Sequence, residues 1–162
     1  MPGDTTDKIL PETLGPRPVD YAGDVSVQEA WRVLSENPNA MLVDVRTRAE
    51  WSFVGVADLA PVGKEPLLVE WQSFPTMGVN AEFATQVSAA LSDAFGDAAK
   101  NAPVLFLCRS GARSRAAAVA LSAQGFNAAY NIAGGFEGDL DEARHRGQRN
   151  GWKASGLPWV QG

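Results

Sequence analysis

The sequence has very little of the two residue types that most often build covalent or metal cross-links. Among its 162 residues there is one cysteine, Cys108, and one histidine, His145. A single cysteine excludes a disulfide within the chain, and a lone histidine leaves no cluster for zinc or a similar metal. The single cysteine also excludes a resolving cysteine in the same chain. A sulfur atom carried by Cys108, or an oxidised form of it, must therefore be discharged by an external thiol or another acceptor. We therefore expect neither a metal nor an organic cofactor.

Long hydrophobic runs and an excess of positive charge are missing as well. No apolar stretch approaches the ~18–20 residues of a membrane span. The segment 1–16 contains acids and prolines where a signal peptide would carry its apolar core. The net charge of −5 disfavours nucleic acid or an anionic membrane as the main partner. These features predict a cytoplasmic protein that binds neither nucleic acid nor membrane.

The length and composition are those of one globular domain. Of all residues, 45% are hydrophobic and 20% are charged, which is an ordinary balance for a packed domain. Residues 1–22 show no clear periodicity and include several prolines, so we expect an N-terminal arm there. Residues 23–160 are expected to form the domain itself.

Within that domain, short apolar runs alternate with segments of helical periodicity. The helices are predicted to begin at the capping residues Ser26, Thr47 and Asn80, and a further one at Ser114. The strands are predicted between them, at residues 40–45, 67–70, 104–107 and 128–132. This alternation predicts an α/β fold: a central parallel sheet with helices on both faces.

Chemistry-bearing residues follow two of the predicted strands. Cys108 ends the apolar run of residues 104–107, and Asp44 lies near the end of the strand at 40–45. Ligands of parallel sheets gather beyond the carboxyl ends of the strands, so both residues are expected at that edge. The pattern indicates a nucleophilic thiol more than an inert core cysteine.

The segment after Cys108 has the composition of an anion-binding loop. It contains Gly111 and Ala112, whose small side chains leave backbone N–H groups uncovered, and it leads into an alanine-rich helix. Arg109 and Arg113 would add positive charge and stabilise a thiolate. A small oxyanion with an electrophilic sulfur or phosphorus would suit such a loop.

Three stretches resemble the rhodanese (sulfurtransferase) family in its single-domain bacterial form. The segment CRSGARS, at 108–114, resembles the active-site loop of that family. The segment VDVRTRAEW, at 43–51, resembles its Asp-x-Arg-x-x-x-Glu-aromatic signature, and YNIAGGFEGDLD, at 130–141, resembles the turn that follows the active-site helix. The likeness extends from about Val25 to Trp159. One departure is the absence of the histidine that many members carry shortly after the signature glutamate.

The resemblance implies a rhodanese-like fold and a catalytic Cys108. Thiosulfate or a similar small anionic donor would load sulfur on this residue as a persulfide, and cyanide, a thiol or a protein acceptor would remove it. Asp44 and Arg46 would support the loop without touching substrate, and residues 61–79 would form a wall or lid over the site. The donor would be bound by the loop residues Arg109, Ser110, Gly111, Ala112, Arg113 and Ser114.

Two other functions stay open. One is a non-enzymatic persulfide carrier or interaction module, and the other is a phosphatase or arsenate reductase of the same fold. Four residues separate Cys108 from Arg113, whereas the rhodanese-fold phosphatases have one residue more in this loop. The shorter loop favours sulfur transfer over phosphate chemistry.

Overall fold

A central sheet of five parallel strands organises the molecule. The computed structural model describes residues 20–73 and 76–161 of the chain. In chain order the five strands are β1 (Gly23–Val25), β2 (Met41–Asp44), β4 (Leu67–Leu68), β7 (Val104–Leu107) and β8 (Ala129–Ile132). Their order across the sheet is β1, β8, β7, β2, β4, and all four pairings are parallel.

Helices cover both faces of this sheet, as the sequence predicts for an α/β fold. Helix α1 (Val27–Glu36) and the short α5 (Gly151–Ala154) contribute to the core on one face. Helices α3 (Phe83–Phe95) and α4 (Ala112–Ser122) contribute to the core on the other. The alternation of side chains along β7 divides that strand between the two cores: Leu105 and Leu107 face one, and Phe106 faces the other.

The predicted helix starts are confirmed for α1 and for α2 (Arg48–Phe53). Ser26 precedes α1, and its side chain accepts a hydrogen bond from the backbone N–H of Glu29. Thr47 and Glu50 form a complete capping box at the start of α2. Both caps satisfy N–H groups that have no partner inside the helix.

The predicted starts of α3 and α4 are each wrong by two residues. Asn80 does not cap α3 directly; the N-cap position is Glu82, whose backbone N–H donates to the Asn80 side chain. Helix α4 begins at Ala112 instead of Ser114, directly after Gly111, whose φ of 121° makes a turn that disfavours other residues. The loop after Cys108 is therefore shorter than the sequence pattern indicates.

Several two-residue strands were not predicted, because segments this short show no periodicity. Strands β3 (Val56–Ala57) and β9 (Trp159–Val160) pair antiparallel and hold the end of the chain against the domain. Strands β5 (Gln72–Ser73) and β6 (Gly78–Val79) also pair antiparallel. Strand β4 covers only half of the predicted segment 67–70.

The predicted N-terminal arm falls largely on residues 1–19, which lie outside the described residues. Its last two residues are part of the core: Tyr21 and Ala22 are buried, and the Ala22 N–H donates to the Ala129 carbonyl. The division into an arm at 1–22 and a domain at 23–160 stays a prediction. Among residues 20–73 and 76–161, no helix has both the length and the apolar character that crossing a bilayer requires.

A buried ion pair fastens the end of β2. Asp44 and Arg46 are both fully buried, with 2.7 Å between Arg46 Nη2 and Asp44 Oδ2. Arg46 Nη2 also donates to the Gly55 carbonyl at 2.6 Å, and the guanidinium stacks 4.2 Å above the Phe136 ring. The pair thus ties β2 to the chain after α2 and to the segment that follows β8. The supporting role of both residues at the site stays a prediction.

We expect the substitution Arg46→Met to lower the free energy of unfolding by about 3–5 kcal/mol, because it leaves the Asp44 carboxylate buried without its charged partner. Urea unfolding followed by circular dichroism would measure the loss. Arg32→Met is the control, since Arg32 pairs with Glu29 and Glu36 along α1 and stays partly exposed, so its loss should cost less than about 1 kcal/mol. Similar losses in both variants would contradict the assigned role of the buried pair.

Candidate active site

Cys108 lies where β7 ends and forms part of the floor of a cavity. Only 1% of the residue is exposed, and its neighbours on one side belong to the core shared with α4. On the other side the cavity has a volume of about 360 Å³. Residues of α2, the β5–β6 hairpin, the loop and the first turn of α4 line it: Glu50, Gln72, Met77, Cys108, Arg109, Ser110, Ala112 and Arg113.

Two polar groups contact the sulfur of Cys108. The backbone N–H of Gly111 donates to Sγ across 3.1 Å, and Ser114 Oγ lies 3.2 Å from Sγ. Ser114 is fully buried in the first turn of α4. The sulfur therefore lies against polar groups of the loop and is not enclosed by hydrocarbon alone.

The segment after β8 holds the loop carbonyls from behind. The Cys108 carbonyl accepts from the Phe136 N–H at 2.8 Å, and the Arg109 carbonyl accepts from Glu137 and Gly138 at 3.1 Å each. In a trans peptide the N–H points opposite to the carbonyl. The N–H groups of Arg109 and Ser110 therefore point away from this segment, which is the orientation that an anion-binding loop requires.

A glycine makes this close approach possible. A Cβ atom at Gly135 would lie 2.5 Å from the carbonyl oxygens of both Cys108 and Arg109, and the φ of Gly135 is 65°. Any side chain at this position would push the loop out of place. The Gly-Gly turn in the family resemblance thus has a direct physical role behind the nucleophile.

Arg113 is bound to a carboxylate, which the sequence did not indicate. Its Nη1 and Nη2 donate to Glu50 Oε1 and Oε2 at 2.7 and 2.9 Å, in a bidentate pair. Burial alone would raise the pKa of Glu50, but hydrogen bonds from Arg113 and from Thr47 outweigh it and lower that pKa to about 2. The hydrogen bonds to Glu50 also raise the pKa of Arg113. The pair is therefore fully ionised at neutral pH and carries no net charge.

The positive charge that is left in the cavity comes from Arg109. Its side chain is exposed, and it has no ion-pair partner in the part of the chain that the structure describes. Arg109 and Arg113 were predicted to act alike, and the structure places both on the cavity in different states. One guanidinium is held by Glu50, and the other is available to an anion.

Behind the sulfur, a chain of side-chain hydrogen bonds runs from Ser114 to the first strand. Ser114 Oγ donates to Asn131 Oδ1 at 2.5 Å, and Asn131 Nδ2 donates to Asp24 Oδ1 at 3.0 Å. The Tyr21 hydroxyl donates to the same Asp24 oxygen at 2.8 Å. No sequence signal marked these partners, because Asn131 lies in β8 whereas Asp24 and Tyr21 lie in or just before β1, far away in the chain.

The β5–β6 hairpin lines part of the cavity. Gln72 and Met77 contribute to the lining, and the Gln72 Nε2 donates to the Met77 carbonyl at 3.1 Å. Both belong to the segment 61–79, which was expected to form a wall or lid. These two residues place part of the segment on the cavity, and its role as a wall or a lid stays a prediction. Asp44 and Arg46 lie outside the lining set, next to the site but not on the cavity.

Comparisons with known proteins agree on one family. The model of the family described as the STR4 middle domain matches residues 22–162. An uncharacterized protein of Rickettsia rickettsii, the RP600 homolog, is 38% identical over 131 residues, which cover 81% of this chain and 91% of that protein. The rice chloroplast protein THYLAKOID RHODANESE-LIKE is 29% identical over 94% of this chain, but the match spans only 28% of that longer protein.

A solved structure is also similar. The crystal structure of Rv0390 from M. tuberculosis superposes with a TM-score of 0.75 at 48% identity. The superposition covers 88% of this chain and 99% of that one. The likeness therefore extends over the whole of the Rv0390 chain.

The low pKa of Glu50 predicts how stability depends on acid. Because the folded-state value lies below the ordinary one, the pair stabilises the fold above about pH 4.5, and this contribution is lost as the pH falls toward about 2. In Glu50→Gln, which keeps the capping oxygen, we expect the unfolding free energy at pH 7 to drop by on the order of 2–3 kcal/mol.

The difference in unfolding free energy between the wild type and Glu50→Gln should shrink steadily as the pH is lowered from about 4.5 toward about 2. Urea unfolding at several pH values would measure it. A difference that stays constant between pH 7 and pH 2.5 would show that ionisation of Glu50 does not stabilise the fold. Glu36→Gln serves as the control, since Glu36 makes only an exposed ion pair with Arg32.

Proposed function

The chain belongs to the family of the STR4 middle domain and has a rhodanese-like fold, and on this premise we propose that it transfers sulfane sulfur through a persulfide on Cys108. The observation that carries the proposal is the position of the Cys108 sulfur. The sulfur lies on the floor of a cavity and accepts a hydrogen bond from the Gly111 N–H. The loop that follows Cys108 has its carbonyls held by the backbone of residues 136–138, so that its N–H groups point away from that segment. A second sulfur atom bound to Sγ would extend into this cavity.

The proposed reaction is a double displacement. The Cys108 thiolate attacks the outer sulfur of thiosulfate, and a new bond forms between Sγ and that sulfur. The bond between the outer sulfur and the sulfonate sulfur breaks, and sulfite leaves with its electron pair. The persulfide anion on Cys108 keeps one negative charge, so charge and atoms balance.

Loop amides and Arg109 would stabilise the donor and the persulfide. The first N–H groups of α4 have no partner within the helix and bear a partial positive charge, which favours an anion at this end. Arg109, exposed at the rim and without a carboxylate partner among the described residues, would attract the donor. Ser110 and Ala112 line the cavity and would contact it, while Arg113, paired with Glu50, would fix the loop as a neutral unit.

The second half of the reaction needs an acceptor from outside. Cyanide, a small thiol or a thiol on a partner protein would attack the outer sulfur of the persulfide and release the Cys108 thiolate. The chain has no second cysteine that could resolve the persulfide. The identity of the acceptor and the cytoplasmic location stay predictions from the sequence.

Loading with sulfur tests the proposal directly. After incubation with thiosulfate, intact-protein mass spectrometry should show one added sulfur atom on the wild type and none on Cys108→Ser, and cyanide should remove it. Steady-state production of thiocyanate should depend on Cys108 in the same way. Loading without turnover would favour a sulfur carrier over an enzyme, and phosphatase activity lost in Cys108→Ser would contradict sulfur transfer.

Arg109 should set the affinity for an anionic donor. Because its guanidinium is exposed and unpaired, Arg109→Gln should raise KM for thiosulfate by roughly five- to twentyfold, with kcat and the unfolding free energy little changed. Arg115→Gln is a matched control, since Arg115 is also an exposed arginine but lies on α4 near the Tyr21 ring and does not line the cavity. Equal KM values in wild type and Arg109→Gln would refute the role of Arg109 in donor binding.

A further inference from the structure

The hydrogen-bond chain behind Cys108 has a fixed direction. Asp24 is a carboxylate and can only accept, so the amide nitrogen of Asn131 must face it. Burial and the hydrogen bond to Asp24 raise the pKa of Tyr21, which keeps its hydroxyl a donor to the same carboxylate. The amide oxygen of Asn131 consequently faces Ser114 and accepts its hydroxyl hydrogen at 2.5 Å.

This direction determines what Ser114 can offer to the sulfur. A serine hydroxyl has one hydrogen, and here Asn131 takes it. Ser114 Oγ, 3.2 Å from Cys108 Sγ, can then only accept a hydrogen bond from the sulfur. The arrangement therefore matches a protonated thiol, with the order S–H to Ser114, Ser114 to Asn131, and Asn131 to Asp24.

A thiolate at Cys108 would need the opposite arrangement. It can only accept hydrogen bonds, and it already accepts one from the Gly111 N–H. For a second one, the Ser114 hydroxyl must turn from Asn131 to the sulfur and give up its short bond to the amide. If it does not turn, two acceptors face each other in a buried site, which is unfavourable.

We propose that Asn131 and Asp24 are positioning residues that restrain the reactivity of Cys108 by holding the hydroxyl hydrogen of Ser114 away from its sulfur. Neither residue is part of the donor-binding loop. Asn131 is almost fully buried, whereas Asp24 is exposed. The hydrogen-bond chain that holds Ser114 therefore starts at the exposed Asp24 and ends beside the buried sulfur of Cys108.

Asp24 lines a second cavity, separate from the one above Cys108. This cavity has a volume of about 570 Å³ and is lined by Asp24 and Asp139 among others, and Ser110 is the residue that it shares with the first cavity. Asp24 can thus be changed without altering the residues that contact a donor, which makes the proposal testable on a folded protein.

Alkylation of Cys108 by iodoacetamide at pH 7, with no sulfur donor present, measures this restraint. In Asp24→Ala the Asn131 amide is free to turn its nitrogen toward Ser114, which releases the hydroxyl hydrogen for the sulfur. We expect alkylation to be roughly three- to tenfold faster, the size of one ordinary hydrogen bond. Asn131→Leu, which removes the competing acceptor, should have the same effect.

Two controls separate positioning from a general change in structure or charge. Asp139→Ala removes an equal charge from the same cavity but no member of the hydrogen-bond chain. Cys108 in this variant should be alkylated at the wild-type rate. In a Ser114→Ala background, Asp24→Ala should no longer change the rate, because the hydroxyl through which it acts is gone. Circular dichroism of each variant confirms folding.

Unchanged or slower alkylation in Asp24→Ala would overturn the proposal, and so would an equal acceleration in the Ser114→Ala background. The proposal uses the reactivity on which the proposed function rests, but it is measured without sulfur transfer. A protein that fails to form a persulfide and still shows the acceleration would refute the function and leave the restraint in place.

Discussion

The carbonyl groups of Cys108 and Arg109 are held by the backbone N–H groups of residues 136–138, and the site depends on these three hydrogen bonds. They fix two successive peptide planes, and with them the direction of the N–H groups on the opposite edge. Without them, a short loop rich in small residues would have many conformations of similar energy. Gly135 allows the contact because no Cβ fits between the two segments. The rigidity of the loop thus originates in a turn that follows a neighbouring strand.

Near the nucleophile, two acidic and two basic side chains neutralise one another in ion pairs. Asp44 and Arg46 cancel one another in the core, and Glu50 and Arg113 cancel one another at the edge of the cavity. Both pairs connect the β2 end or α2 to other parts of the chain, and neither adds net charge near the sulfur. The attraction for an anion is left to Arg109 and to the start of α4. A site of this kind would suit a singly charged anion such as the proposed persulfide.

The sequence predicts those parts of the site that are contiguous in the chain. One continuous stretch of sequence predicts Cys108, its loop, the strand before it and the helix after it. The alternation of apolar runs and helical segments predicts the parallel sheet. The partners from distant segments could not be predicted in this way. Arg113 and Glu50 are 63 residues apart, and Asn131 and Asp24 are 107 residues apart.

Such contacts are set by the register of the sheet, which composition and periodicity do not specify. Glu50 appeared in the sequence only as a capping residue and a signature position, and nothing indicated that it would neutralise Arg113. Asn131 read as an ordinary strand residue. Its position on the face of β8 toward α4 becomes apparent only when β8 is paired with β1 and β7.

The central claim is that the loop holds a second sulfur atom on Cys108, and a crystal structure of the protein after exposure to thiosulfate tests it most directly. We expect electron density for one atom bonded to Sγ, extending into the cavity and within hydrogen-bond distance of the loop N–H groups. Density that leads away from the loop, or an unmodified Sγ in protein shown by mass spectrometry to carry sulfur, would contradict it.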